Sequence, residues 1–335
     1  DINREIFKAY DIRGKYPTDI DKDIAYTIGR SYGSRLLSIG KSKCIVGYDN
    51  RHSSLELSLA VTIGILSTGV DVVSVGLVTT PMCIYAKDVL DIPSYIMVTA
   101  SHNPKDDNGF KFSFDDSGNV KGEEMDKFAN FTLQGKFSEG IGKFSKYDMK
   151  KDYLNLFKEN IKLGGKKLKV VLDLANGTTS CIAREIFEMF NIDLTIINEQ
   201  SDPDFPNHHP DPCVTENQFQ LRDKVLELGA DLGIGFDGDG DRCGVVDDKG
   251  NIIKTDTYMA VMVQSILPEC ENKRILYDVK CSDLLKNEIV KWGGIPVCYR
   301  TGASYTMSKV LDDNLAFGGE YSGHIYFNDR FKAIG

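Results

Sequence analysis

Long apolar runs are missing from this 335-residue chain. None approaches the roughly 20 residues that a membrane-spanning helix needs, and residues 1–10 offer no apolar core of a secretion signal. The eight cysteines include no Cys-x-x-Cys pair, which excludes the usual zinc spacings and gives no disulfide framework. A reducing, cytoplasmic setting is the expectation, and there the glycosylation patterns at Asn130 and Asn176 are chance. Positive charge is outnumbered, with 40 Lys and Arg against 49 Asp and Glu. The formal net charge of -9 argues against nucleic-acid partners, while leaving room for a local basic pocket. No G-x-S-x-G elbow occurs, so a serine hydrolase of that type is excluded. No Walker A sequence, low-complexity segment or long linker occurs either. What remains is a soluble composition, 41% apolar, on a chain long enough for two or three domains.

One plan repeats three times. A short apolar strand over 43–49 ends in Asp49, and Ser53 then precedes a helical run over 55–68. A strand over 168–173 ends in Asp173, with Thr178 or Thr179 before a helical run over 181–190. A strand over 274–278 ends in Asp278, with Ser282 before a helical run over 283–292. Each Ser or Thr is a cap candidate. Further strands are expected over 70–75, 95–98, 194–197, 232–236 and 296–299. Strands alternating with helices imply parallel βαβ units covered on both faces. The expected fold is three consecutive α/β/α modules with mixed, mainly parallel sheets. The expected boundaries are 1–147, 148–250 and 251–335.

In such modules, sites gather on loops after the C-terminal ends of strands. Three unusual loops stand there. Thr99-Ala-Ser-His-Asn-Pro104 sets Ser101 beside His102, with Pro104 stiffening the exit. Asp237-Gly-Asp-Gly-Asp-Arg242 places three carboxylates at alternate positions, able to converge on one hard cation. It is no EF-hand, because Arg242 takes the position that needs glycine and Asp248 the one that needs glutamate. Gly233-Ile-Gly-Phe-Asp-Gly238 matches G-x-G-x-x-G by chance, since no helix is expected after it. Gly318-Gly-Glu-Tyr-Ser-Gly-His324 offers a carboxylate, a hydroxyl and an imidazole on a glycine-hinged loop, which suits a polyol. Two cations complete the set. Arg13, in Tyr10-Asp-Ile-Arg-Gly14, suits bidentate phosphate binding; Lys111, on a strand leaving the serine loop, adds a compact charge.

Together these motifs resemble the α-D-phosphohexomutase family, in its bacterial phosphomannomutase/phosphoglucomutase branch. The resemblance spans essentially the whole chain and rests on four separated motifs in family order. Phe7-Lys-Ala-Tyr-Asp-Ile-Arg-Gly14 resembles the N-terminal motif, and its Ala-Tyr-Asp favours this branch over phosphoglucosamine mutases. The others are the serine loop with Asn108-Gly-Phe-Lys111, the acidic loop and the sugar loop. The resemblance implies an enzyme that interconverts hexose 1- and 6-phosphates of mannose or glucose. Ser101 would carry the phosphoryl group, with His102 beside it. A phosphoserine oxygen would complete a Mg²⁺ shell made by Asp237, Asp239 and Asp241. Arg13, Lys111 and Arg242 would balance charge near that phosphate. Tyr10, Lys280, Glu320, Ser322 and His324 would contact substrate. His324 is the candidate for proton transfer, with Lys111 as the alternative. A glucose or mannose 1,6-bisphosphate would serve as activator and intermediate.

Two departures from the family pattern stand out. In Thr301-Gly-Ala-Ser304, Ala303 replaces the usual histidine, so one ligand contact is expected to be missing. The family's fourth domain, with an Arg-x-Ser-x-Thr loop gripping the non-reacting phosphate, has no counterpart in these residues. Weak binding and poor turnover are therefore expected beside a longer version. The alternatives are a phosphoglucosamine mutase, a metal-dependent phosphatase, which the sugar loop disfavours, and an inactive sugar-phosphate-binding fragment.

Overall fold

The computed structural model describes residues 1–329, so 330–335, the end of the expected third module, lie outside the described residues. Contacts divide the chain into two compact units: Asp1–Tyr153 with Asp202–Asp204, and Leu154–Ser201 with the chain from Phe205 onward.

The first unit contains β1 (Ile12–Lys15), α1 (Lys22–Ser38), β2 (Lys43–Tyr48), α2 (Ser54–Leu66), β3 (Asp71–Leu77), α3 (Thr80–Leu90), β4 (Tyr95–Val98), β5 (Asp107–Ser113), α4 (Gly122–Gln134) and β6 (Phe144–Lys146). The helix α5 (Lys150–Asn160) leads out of it. Its strands form one sheet in the order β1-β5-β4-β2-β3-β6. Tyr32, Phe110, Phe112, Phe114 and Phe128 dominate the core, and the rings meet mostly edge to face at centroid separations such as 6.0 Å for Tyr32 and Phe112. Each ring so buried contributes roughly 1.5–3 kcal/mol.

The second unit carries two sheets. One contains β7 (Leu168–Asp173), β8 (Ile192–Ile197), β9 (Leu232–Phe236), β10 (Cys243–Asp247) and β11 (Ile252–Ile253), with α6 (Ala183–Glu188) and α7 (Phe219–Leu228). The other contains β12 (Arg274–Asp278), β13 (Ile295–Tyr299), β14 (Phe317–Gly319) and β15 (Ile325–Phe327), with α8 (Thr255–Ile266), α9 (Asp283–Lys291) and α10 (Ala303–Asp312). The orders are β11-β10-β9-β7-β8 and β13-β12-β14-β15. Three α/β/α modules with mixed, mostly parallel sheets are therefore present, as the strand and helix alternation implied. Among the described residues no helix is long and apolar enough to cross a membrane.

All three sheets share a nucleus. A central strand, with an aspartate at its end or one residue beyond, pairs in parallel with two neighbours: β2 with β3 and β4, β7 with β8 and β9, β12 with β13 and β14. One of those neighbours then turns back antiparallel, as β4–β5, β9–β10 and β14–β15. A parallel return needs a crossover of about a dozen residues or more, so the short loops between these strands permit only hairpins. The serine, acidic and sugar loops are the tips of those hairpins.

The strands expected over 95–98, 168–173, 232–236 and 274–278 coincide with β4, β7, β9 and β12. The helix expected over 181–190 does not. A 3₁₀ turn at Thr178–Cys181 precedes a short α6, because Ile182 lies at φ -146° and breaks the run. The three cap candidates fail as caps, since no side-chain cap bond forms at Ser53, near Thr178 and Thr179, or at Ser282. The Ser53 hydroxyl instead accepts from Asn108 Nδ2 at 2.7 Å, and Ser282 donates its backbone N–H to Asp256 at 2.9 Å.

Candidate active site

The serine loop leaves β4 and returns along β5. Ser101 is buried and sits at φ +56°, a left-handed conformation that non-glycine residues rarely adopt. Its backbone N–H donates to Thr99 Oγ1 at 2.9 Å, and its Oγ lies 3.3 Å from His102 Nδ1. Such strain persists only where the surroundings over-determine it, and here Arg51 does so. Its guanidinium donates to the carbonyls of Ser101 at 3.1 Å, Asn103 at 2.8 Å, Pro104 at 2.7 Å and Asp107 at 3.1 Å. Asp49 in turn faces Arg51 Nε at 3.4 Å and accepts from Thr99 Oγ1 at 2.7 Å. Burial pushes the Asp49 carboxyl up, against the pull of Arg51, Ser54 and Thr99.

Arg13 stands on β1 opposite Gly109 of β5, where a Cβ would come within 1.9 Å of the Ile12 carbonyl. Only glycine lets the two strands approach this closely. Lys111 lies two residues along β5, so it shares a face of the sheet with Arg13. Arg13 donates to Asn103 Oδ1 at 2.8 Å and pairs with Asp11 at 2.7 Å. A cleft of about 320 Å³ opens here, lined by Lys8, Arg13, Lys15, Asp19, Asn103 and Asp107 among others. Tyr10 is exposed ahead of β1.

In the second unit, the acidic loop is the tip of the β9–β10 hairpin. Asp237 and Asp239 are fully buried and Asp241 is partly so. One oxygen from each lies within 4.8 Å of the others. Three oxygen donors so close repel one another, and they suit a hard divalent cation. Arg242 braces them. It donates to Asp237 from Nε and from its backbone N–H at 3.1 Å each, to Asp211 at 3.1 Å, and to the Ser322 carbonyl at 3.0 Å. Its guanidinium therefore ties the acidic loop to the sugar loop.

The sugar loop is the tip of the β14–β15 hairpin, turned at Gly323 with φ +99°. Glu320 is buried. Its Oε2 accepts from the Gly302 N–H at 2.9 Å, and its Oε1 faces His324 Nδ1 at 2.9 Å. The other imidazole nitrogen lies 3.5 Å from Asp241 Oδ2. Both ring nitrogens thus face carboxylates, so the ring holds both protons. Burial opposes that charge, but Asp241 and Glu320 outweigh it and raise the imidazole pKa to about 9. A cation drawing on Asp241 would lower it again. Burial raises the Glu320 carboxyl, while His324 and the Gly302 N–H pull it below its usual range. Ser322 Oγ lies 3.0 Å from His324 Nδ1. Lys280 is exposed on the turn after β12. Ala303 opens α10, directly after the Gly302 N–H that holds Glu320.

The structure thus brings Asp237, Asp239, Asp241, Arg242, Glu320, Ser322 and His324 together, and gathers Ser101, His102, Arg13 and Asn103 around one loop. Sequence reasoning missed Arg51, Asp211 and Gly302. Arg51 has no local signature as a clasp, since the carbonyls it holds lie 50 to 56 residues away.

Family profiles for α/β/α domains I, II and III of phosphoglucomutase/phosphomannomutase match residues 4–139, 151–250 and 254–333. The chain belongs to this family. A phosphomannomutase/phosphoglucomutase of Pseudomonas syringae pv. tomato is 37% identical over 326 residues, covering 97% of this chain and 70% of that protein. A phosphomannomutase of Methanocaldococcus jannaschii is 33% identical over 331 residues, covering 97% and 72%. A solved phosphoglucomutase/phosphomannomutase family protein of Burkholderia thailandensis superposes with a TM-score of 0.94 at 35% identity, covering 100% of this chain and 74% of that one.

Proposed function

We propose that this chain is a phosphohexomutase that interconverts hexose 1-phosphate and hexose 6-phosphate, of mannose, glucose or both. It is an isomerase acting by intramolecular phosphoryl transfer. The observation that carries the reading is the second unit's network, where Arg242 and His324 each bond both the acidic loop and the sugar loop.

The bond from the Ser101 oxygen to phosphorus breaks, and a bond forms to a hydroxyl of the hexose phosphate. The resulting 1,6-bisphosphate reorients and returns its other phosphoryl group to Ser101. Arg13, Lys111 and Arg242 balance the phosphate charge. Glu320 and Ser322 hold sugar hydroxyls, the carboxylate accepting and the hydroxyl able to do either. His324 exchanges the proton of the reacting hydroxyl, with Lys111 as the alternative; His102 stands beside Ser101. Tyr10 and Lys280 are weaker contributors, through substrate contact. Asp237, Asp239 and Asp241 would hold Mg²⁺ with an oxygen of the phosphoserine, and the ion would neutralise charge on the transferring group. Module boundaries near Tyr147 and Gly250 and a cytoplasmic location fit this reading.

Intact mass after incubation with glucose 1,6-bisphosphate tests it. A phosphate adduct that disappears in Ser101→Ala is expected, together with mutase turnover of glucose or mannose 1-phosphate. A parent chain that never takes up phosphate removes Ser101 from its role.

A further inference from the structure

We propose that the three aspartates ending the central strands, Asp49, Asp173 and Asp278, are positioning residues, each holding one working loop in its own module. The inference rests on the roles proposed above for the serine, acidic and sugar loops.

Each carboxylate is buried, at 1%, 2% and 0% exposure respectively. Each lies at the C-terminal end of the strand beside the hairpin that carries the loop, or one residue beyond it. All three are surrounded by donors. Asp49 accepts from the Arg51 backbone N–H at 3.0 Å, from Ser54 and from Thr99. Thr99 is the first residue of the serine loop, and Arg51 clasps three of that loop's carbonyls and that of Asp107, which opens β5.

Asp173 accepts from the Ala175 N–H at 2.8 Å, Asn198 Nδ2 at 3.0 Å and His208 Nε2 at 2.6 Å. The other ring nitrogen of His208 faces the His209 carbonyl at 2.8 Å, so this ring also carries both protons. The turn so held continues to Thr178, whose N–H donates to the Gly238 carbonyl at 3.0 Å, inside the acidic loop. Downstream of His208, Asp211 accepts from Arg242. Asp173 therefore fixes both segments that back the metal ligands.

Asp278 accepts from the Tyr321 N–H at 3.2 Å, Cys281 Sγ at 3.1 Å and Thr301 Oγ1 at 3.1 Å. Tyr321 follows Glu320 in the sugar loop, and Thr301 precedes the Gly302 whose N–H binds Glu320. The same device serves a different loop in each module. A carboxamide of identical shape loses the charge that pairs with Arg51 and His208, and it keeps the Thr301 contact only by reversing that hydrogen bond.

The test uses the full chain with three readouts. These are phosphate uptake by Ser101 from glucose 1,6-bisphosphate by mass, Mn²⁺ affinity by electron paramagnetic resonance, and glucose 1-phosphate affinity by calorimetry. Asp49→Asn, Asp173→Asn and Asp278→Asn are each expected to shift their own readout about tenfold or more, and the other two by no more than about twofold, the scale seen when outer contacts of a site are removed. Thr99→Val, His208→Phe and Thr301→Val each delete one bond to the corresponding aspartate. They are expected to give the same split more weakly, and they carry the test where a carboxamide variant does not fold. Uniform losses across the readouts, or no loss in folded variants, overturn the inference. A parent chain that fails a readout overturns the functional reading instead.

Discussion

Replacing Arg242 with lysine would test how the second unit holds its site together. The guanidinium is 3% exposed and serves Asp237, Asp211 and the Ser322 carbonyl at once. A lysine ammonium can keep the contact to Asp237, which also retains the backbone N–H of residue 242, but it cannot span the other two. Two bonds from a charged donor are then lost, each worth about 1.5–3 kcal/mol. Removing one partner from a buried pair costs about 3–5 kcal/mol, in the same range. The expected loss of unfolding free energy is therefore about 3–5 kcal/mol. The single tryptophan, Trp292, lies in this unit and reports its urea unfolding by fluorescence. A weaker apparent affinity for glucose 1-phosphate should accompany the loss, because Ser322 is released. A change below about 1 kcal/mol, the worth of an exposed pair, would refute the bracing role.

Glu320→Ala is expected to raise KM and lower turnover while leaving phosphate uptake by Ser101 partly intact; steady-state kinetics beside intact mass checks this, and parent-like kinetics would remove the sugar-loop assignment. His208 has a pKa raised above its ordinary 6.5, because the bond to Asp173 outweighs burial, which acts the other way. Its stabilising contribution is therefore full below that ordinary value and lost as pH rises through the folded value. The melting-temperature gap between the parent and His208→Gln should shrink over that rise, and a gap independent of pH would contradict the ion pair. Gly109→Ala would force β1 from β5, since its Cβ would meet the Ile12 carbonyl at 1.9 Å. A cost of about 1–3 kcal/mol or more is expected, with slower phosphate uptake as Arg13 shifts. Thermal unfolding and mass-resolved uptake measure both, and an unchanged variant would show that the strands separate freely.

The acidic triplet was legible because its chemistry is local. Asp237, Asp239 and Asp241 lie two residues apart, and a tight turn is enough to converge them. The serine and sugar loops were legible for a related reason, since each is a contiguous hairpin tip between apolar strands. Bonds between distant segments were not. Ser53 looked like a helix cap, yet its hydroxyl is engaged by Asn108, 55 residues away. The helix over 181–190 looked continuous, yet Ile182 at φ -146° separates a 3₁₀ turn at Thr178–Cys181 from a short α6.

The alternation of apolar strands and helical runs was enough to determine three α/β modules, because burial on two faces leaves few other arrangements. It also marked where each central strand ends in aspartate. Only the tertiary structure decided what those aspartates hold. Hydrogen bonds from Thr99, His208, Tyr321 and Thr301 form when the chain closes on itself, across 50, 35, 43 and 23 residues. Burial then makes each bond count, since a carboxylate removed from water must find its donors within the fold.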